Sequence, residues 1–341
     1  MSLLTIDGAY GEGGGQMVRT ALSLALCTGR PIRVSPIRPR RAKPGLRQQH
    51  LTAVQAAVQV SSGYAKGAAV GSLELEFYPG PVRPGEYTVS IGTAGSTSLV
   101  FQTLLPALLT AAAPSRLILE GGTHNPQAPT FDFLQQTFLP LINRMGPRVE
   151  ARLETYGFYP AGGGRWLADI QPCQRLHPLT LGERGRLLEC QAQALLARLP
   201  HHIAQRELQT VAALLAWEPA SLRTVAVSAF GPGNCLNLIL RSEGVTEIVT
   251  GFGRRGVRAE QVAIEAAEPV RRYLAAGVPV GEHLADQLLL PLALAGGGEF
   301  LTLRPSRHTL TNQMVIQQCL PVTVEMTPLA EDRWRIRVSA R

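Results

Sequence analysis

The sequence predicts a mixed α/β fold in which a small α/β unit interrupts a larger one, and three observations carry that prediction. Short alternating or β-branched runs trade places with apolar helical runs along the chain. The glycine run at Gly11-Glu12-Gly13-Gly14-Gly15 is echoed at Gly162-Gly163-Gly164, which hints at internal duplication. Between about 184 and 276 the texture changes: the polar clusters on either side stop, and resume after it.

Taken in order, a strand at Leu3–Ile6 runs into the first glycine turn, and an apolar helix follows from Met17 to Cys27, stopping at Gly29. Glycines let a backbone approach a phosphate, and N–H groups at a helix start point at it. Glu12 in the turn could hold Mg²⁺ or Mn²⁺ against a triphosphate, and Arg19 one helical turn on has a fork suited to phosphoryl oxygens. The spacing is neither the P-loop nor the Rossmann pattern, and a plain tight turn competes with this reading.

Arg30 to Arg47 holds seven cations broken up by four prolines, so it reads as a strand and a loop rather than a helix. Gln49 and His50 open the next helix. Strands are expected over Ser72–Phe77, Tyr87–Ile91 and Leu117–Glu120, with a helix from Ser98 to about Ala112. That helix carries Gln102 on an otherwise apolar surface, where an amide must face a cleft or a backbone partner. Pro129, Phe131 and Phe133 follow, suited to core packing or to stacking on a base. Within 184–276, Leu187–Leu199 and Gln205–Trp217 read as amphipathic helices, and strands are expected at 223–227, 236–240 and 246–250. The adjacent His201 and His202 point different ways on any regular element and are read as structural. Strands around Pro321–Met326 and Trp334–Val338 close the chain.

At 341 residues the chain is long enough for two domains or one large one. Its mean hydropathy is +0.07, and it has neither a run of about eighteen apolar residues nor a signal-peptide pattern. A soluble protein with no membrane partner is expected. Net charge is +8, which favours a polyanionic partner such as RNA, DNA or a phosphorylated metabolite. Five scattered cysteines without a CxxC fit a reducing cytoplasm and indicate neither a disulfide framework nor a zinc site.

Two C-terminal segments concentrate the chemistry. Gly281-Glu282-His283-Leu284-Ala285-Asp286-Gln287 starts a helix with His283, Asp286 and Gln287 on one face; Pro291 and Gly296-Gly297-Gly298 limit it. Pro305-Ser306-Arg307-His308-Thr309-Leu310-Thr311-Asn312 is polar and turn-like, with a helix expected from near Thr311. An imidazole among such neighbours can be a nucleophile held in one tautomer.

These two strings resemble the active-site region of the RNA 3'-terminal phosphate cyclases. So do Gly-Glu-Gly-Gly-Gly-Gln-x-x-Arg at 11–19, Arg-Ala-Lys-Pro-Gly-Leu with Gln-His-Leu at 41–51, Phe-Gln-Thr-x-Leu-Pro-Ala at 101–107, and Tyr-Gly-Phe-Tyr-Pro-Ala-Gly-Gly-Gly-Arg at 156–165. One departure is Tyr156, where the family usually has a basic residue. The resemblance implies a large catalytic domain (1–183 and 277–341) of repeated βαβαββ-type units, each a four-stranded sheet with two helices. A small thioredoxin-like domain is inserted over 184–276. It also implies that His308 attacks ATP, with Glu12, Arg19, Arg38, Gln49, His50 and Asp286 in the catalytic centre. Gln102, Pro129, Phe133 and His283-Leu284-Ala285-Asp286-Gln287 would surround the nucleotide, and Glu12 would bind a divalent metal. The implied substrates are ATP and RNA 3'-phosphate ends, which would become 2',3'-cyclic phosphodiesters in the cytoplasm. A non-catalytic RNA-binding scaffold in ribosome maturation and a small-anion transferase on similar units are the competing readings. A homodimer is compatible with the sequence, although no surface stripe argues for one.

Overall fold

A computed structural model describes residues 2–11 and 13–341. Strand β1 (Leu4–Asp7), helix α1 (Gly15–Thr28), β2 (Ile32–Ser35), α2 (Gln48–Ser61), β3 (Tyr64–Lys66) and β4 (Leu75–Tyr78) make one unit. Its sheet runs β1-β2-β4-β3, parallel in the first pair and antiparallel beyond it. Helix α1 is apolar over most of its circumference, so it is buried and packs against its neighbours on several sides. It stops where Gly29 takes the left-handed conformation and returns its N–H to Ala25.

The pattern repeats with β5 (Glu86–Ser90), α3 (Thr97–Leu108), β6 (Ser115–Gly121), then α4 (Phe131–Phe133), a wider π turn over Leu134–Phe138 and α5 (Leu139–Asn143). It ends with β7 (Arg148–Thr155) and β8 (Gly164–Gln171), giving the order β5-β6-β8-β7. A third copy of this arrangement begins at β9 (Leu179–Leu181) and is then interrupted.

The interrupting stretch holds β10 (Leu187–Ala197), α6 (His202–Leu215), β11 (Leu222–Ala226), β12 (Gly233–Ser242), β13 (Thr246–Phe252) and α7 (Ala259–Ala276). Its sheet, ordered β11-β10-β12-β13, carries a core of its own in which Leu196, Leu208, Leu236, Leu238 and Val270 meet. Two expectations fail here. Leu187–Ala197 is a strand, not a helix, because it lies between β11 and β12 and both neighbours bond its backbone. Helix α7 was not anticipated; it carries Pro269 in mid-segment.

The third unit resumes with α8 (Glu282–Leu294), β14 (Gly297–Thr302), α9 (Arg307–Cys319), β15 (Val322–Ala330) and β16 (Arg333–Ala340). Its order, β15-β16-β14-β9, pairs β14 with β9 in parallel across the interruption. Pro291 lies inside α8 rather than ending it. Helix α9 starts at Arg307, four residues before the expected position, because the Ser306 hydroxyl accepts from the Thr309 N–H at 3.2 Å and caps it.

The fold is therefore mixed α/β with four four-stranded sheets among the described residues. A shared core gathers the helices of the three repeated units, including Met17 of α1, Phe101 of α3, Leu288 of α8 and Val315 of α9. None of the described helices is long and apolar enough to cross a membrane.

Candidate active site

Helices α1, α8 and α9 converge on one cleft of about 640 Å³ and are tied together by side chains. Ser306 capping places His308 in the first turn of α9. Its Nδ1–H donates to Gln16 Oε1 of α1 at 2.6 Å, and the Gln16 amide nitrogen donates to Asp286 Oδ1 of α8 at 2.6 Å. Asn312, one turn beyond His308, donates from Nδ2 to the same Asp286 oxygen at 2.9 Å and accepts from the Thr20 hydroxyl at 2.7 Å. Donation from Nδ1 leaves the imidazole lone pair on Nε2. His308 is exposed, whereas Gln16 and Asn312 are buried, so an accessible imidazole stands on a rigid base.

Burial raises the Asp286 carboxyl above its ordinary range, opposed first by the charge of His308 and then by the amides of Gln16 and Asn312 and by Arg19. The half-buried Arg19 lines the same cleft, where burial lowers its guanidinium to about 10 against the pull of Asp286. Gly14 offers no side chain to cap α1, so the first-turn N–H groups are left for an anion.

Deeper in the cleft, Gln102 of α3 donates to Gln287 of α8, and Pro129, Phe133 and His283 complete that wall. Two expected contacts are not made: Leu284 and Ala285 point away from the cleft and pack in the apolar core, since they occupy the opposite face of α8.

Arg38, Gln49 and His50 lie around the cleft rather than on it. His50 is buried and accepts the Arg47 N–H at Nδ1 (3.0 Å), capping α2; a Cβ on Gly15 would collide with its ring. Burial, then the cations Arg19, Arg38 and Arg47, push its imidazole down to about 3, so it stays neutral. Arg38 shapes the arginine loop by donating to the carbonyls of Lys43 (2.8 Å) and Gly45 (2.9 Å), and burial lowers its guanidinium. Gln49 accepts the Ser96 N–H at 3.2 Å in an adjoining cleft. Glu12 lies outside the described residues, and among those described no three His, Cys, Asp or Glu side chains converge as a metal cluster.

This three-helix site sits on a chain whose residues 10–326 match the family model described as RNA 3'-terminal phosphate cyclase. The chain belongs to the RNA 3'-terminal phosphate cyclase family. It is 49 % identical over 342 residues to an RNA 3'-terminal phosphate cyclase of Koribacter versatilis, covering 100 % of this chain and 96 % of that one. Against a protein of the same name from Pseudomonas fluorescens it is 51 % identical over 339 residues, covering 99 % and 98 %. A third relative so named, from Salmonella agona, is 48 % identical over 330 residues, covering 96 % and 95 %.

Sequence reasoning gave no role to Gln16, which lies inside the string at 11–19, to Thr20 just beyond it, or to Glu247. Two buried polar side chains four residues apart on α1 were the available signal for the first pair. Glu247, from β13 of the interrupting stretch, is buried in the cleft wall and accepts the Gly281 N–H at the start of α8 at 2.9 Å. A Cβ on Gly281 would lie 2.7 Å from that carboxyl, so glycine is what admits it. Burial lifts the Glu247 carboxyl from 4.5 to about 8. The folded state therefore keeps a proton that the unfolded chain releases, and stability falls as pH rises from about 4.5 to about 8. Glu207, lifted to about 7 by burial, acts in the same direction. Glu247→Gln cannot ionise, so its unfolding midpoint in urea should decline less over that window than the wild type's. Identical pH slopes would refute the assignment.

Proposed function

We propose that this chain is an ATP-dependent RNA 3'-terminal phosphate cyclase working through a covalent histidine–AMP intermediate. The observation that carries the reading is the relay from Asp286 through Gln16 to His308 Nδ1, which directs the Nε2 lone pair of an accessible imidazole at a cleft large enough for a nucleotide.

In the first step His308 Nε2 attacks the α-phosphorus of ATP. An N–P bond forms, the bond to the β-phosphate oxygen breaks, and pyrophosphate leaves. Positive charge develops on the imidazole, and the Asp286 carboxylate, two hydrogen bonds away, offsets it. Next an oxygen of the RNA 3'-phosphate attacks the same phosphorus, the N–P bond breaks, and His308 is regenerated neutral. The vicinal 2'-hydroxyl then attacks the RNA phosphorus, AMP departs, the ring closes and the hydroxyl proton passes to solvent. That hydroxyl is already adjacent, so the last step needs positioning more than a strong base. Arg19 and the N–H groups of α1 would neutralise phosphate oxygens, and the wall of Gln102, Pro129, Phe133, His283 and Gln287 would take the adenosine.

Magnesium or manganese would be held by triphosphate oxygens and a single carboxylate, for which we assign Glu12. Bound there, the ion would neutralise triphosphate charge. We also infer that 184–276 is an inserted domain. The parallel pairing of β14 with β9 across it and its separate core support this. Five free thiols fit a cytoplasmic protein.

ATP labelled at the α-phosphate, with metal and without RNA, tests the mechanism. Acid-labile, alkali-stable label on the protein, discharged by RNA 3'-phosphate, is the expected result. Folded, metal-supplied protein that takes no label would overturn it and favour the scaffold reading. Glu12→Ala should slow labelling and raise the metal concentration needed for half-maximal rate; a wild-type rate at every metal concentration would remove Glu12 from the metal site.

A further inference from the structure

Helix α8 brings His283, Asp286 and Gln287 to the cleft, and the last two have anchors of their own. Asp286 is held by Gln16 and Asn312, and Gln287 by Gln102. The first turn, with His283, takes its position from the chain just before it. That turn supplies no cap for itself. Its N-cap residue is Gly281, which has no side chain. Its third position, from which an acid commonly reaches back to the N-cap N–H, is Leu284, packed in the apolar core. The missing acceptor comes from the interrupting stretch: Glu247 of β13 takes the Gly281 N–H at 2.9 Å. Two further ties run from that stretch to the same segment. The Tyr273 hydroxyl of α7 donates to the Pro279 carbonyl at 3.1 Å, and Arg272 of α7 reaches the Glu282 carboxylate at 3.5 Å. From the other side, the third unit contributes the bond from the Val280 N–H to the Leu301 carbonyl at 3.2 Å.

Glu247 is only 3 % exposed, in the wall of the same cleft. Burying a carboxyl is costly, and the cost is offset here because the group accepts an N–H that would otherwise be orphaned. Burial also lifts the acid to about 8, so at neutral pH it adds little negative charge to a cleft that would take a triphosphate. We propose that Glu247 is a positioning residue for the adenylylation step: it caps α8 from a distant part of the chain, and through that bond the interrupting stretch sets where His283 stands in the nucleotide wall. This rests on the cyclase reading and adds to it a control on ATP binding that is seated outside the three repeated units. Asp286 and His308 keep their own support from Gln16, so the control falls on affinity for ATP rather than on the rate of nucleotidyl transfer.

The test measures KM for ATP and the labelling rate at saturating ATP, using the full-length protein, metal and α-labelled ATP. Glu247→Ala should raise KM about tenfold, the size expected for loss of one cap, and leave the saturated rate close to that of the wild type. Glu247→Gln, whose amide oxygen accepts the same N–H, should restore KM. Gly281→Ala approaches the contact from the other partner. Its backbone, at φ −75°, suits alanine, but the added Cβ would lie 2.7 Å from the carboxyl and displace it. It should raise KM as Glu247→Ala does, and the double variant should be no worse than either alone. It also carries the test if Glu247→Ala does not fold. A wild-type KM in Gly281→Ala, or in a folded Glu247→Ala, overturns the proposal. So does a loss that glutamine fails to restore, additive effects in the double variant, or a fall in the saturated rate with KM unchanged. If the wild type takes no label, the cyclase reading fails separately. Hydrogen exchange of the amides over 281–287 then decides the inference: faster exchange in Glu247→Ala or Gly281→Ala than in Glu247→Gln supports it, and equal exchange overturns it.

Discussion

His308→Ala abolishes labelling by ATP and lowers cyclisation by at least about a thousandfold, while the unfolding midpoint stays close to that of the wild type. The size of the effect follows from the role: removing a covalent nucleophile deletes the step rather than weakening it. The small effect on stability follows from the surroundings. His308 is an exposed residue in the first turn of a helix capped by Ser306, not by the imidazole. Its bond to Gln16 Oε1 is lost, but Gln16 keeps its bond to Asp286. Chromatography of products from a 3'-phosphorylated oligomer, alongside urea unfolding, measures both. Retained cyclisation by the variant would refute the mechanism, and gross unfolding would refute the structural account.

Asp286→Ala should damage stability and activity together. One carboxylate oxygen accepts from both Gln16 and Asn312, so its removal leaves the Gln16 amide nitrogen without this acceptor, leaves Asn312 Nδ2 only the Asp286 backbone carbonyl, and deprives Arg19 of the charge that holds it up. Breaking a buried charged network of this kind costs roughly 3 kcal/mol. Loss of the base under Gln16 should misplace the imidazole and slow adenylylation about a hundredfold. Asp286→Asn separates the two contributions, because an amide oxygen can still accept from both partners. It should unfold within about 1 kcal/mol of wild type and still adenylylate about tenfold more slowly, since the missing charge no longer offsets the imidazole cation. Adenylylation at the wild-type rate by the asparagine variant would show that geometry alone matters. Single-turnover labelling with ATP, with urea unfolding in parallel, distinguishes the outcomes.

Much of the site was legible because its residues come in short strings. His283, Asp286 and Gln287 share a helix face by spacing alone, and α8 presents all three to the cleft. The same spacing argument, applied more carefully, would have sent Leu284 and Ala285 to the core, where they lie. His50 and Arg38 were read as active-site groups from resemblance; the structure gives each a local bonding role beside the cleft, in capping α2 and shaping the arginine loop. Gln16 was overlooked because nothing local distinguishes a buried glutamine that bonds across 292 residues of sequence from one that fills a turn. Leu187–Ala197 was misread because leucine and alanine favour helices in isolation, and only pairing with β11 and β12 makes a strand.

The sequence by itself determined the α/β class and a histidine among hydroxyls, because each is written in local periodicity or in contiguous strings. Tertiary structure alone decided that three helices distant in sequence would bring Asp286, Gln16 and His308 into line, and that Glu247 of the interrupting stretch would brace the start of α8. It alone opened a second cleft beside the first. These are contacts between residues far apart in the chain, and their geometry is fixed by the burial of the helices in a common core, which no local pattern encodes.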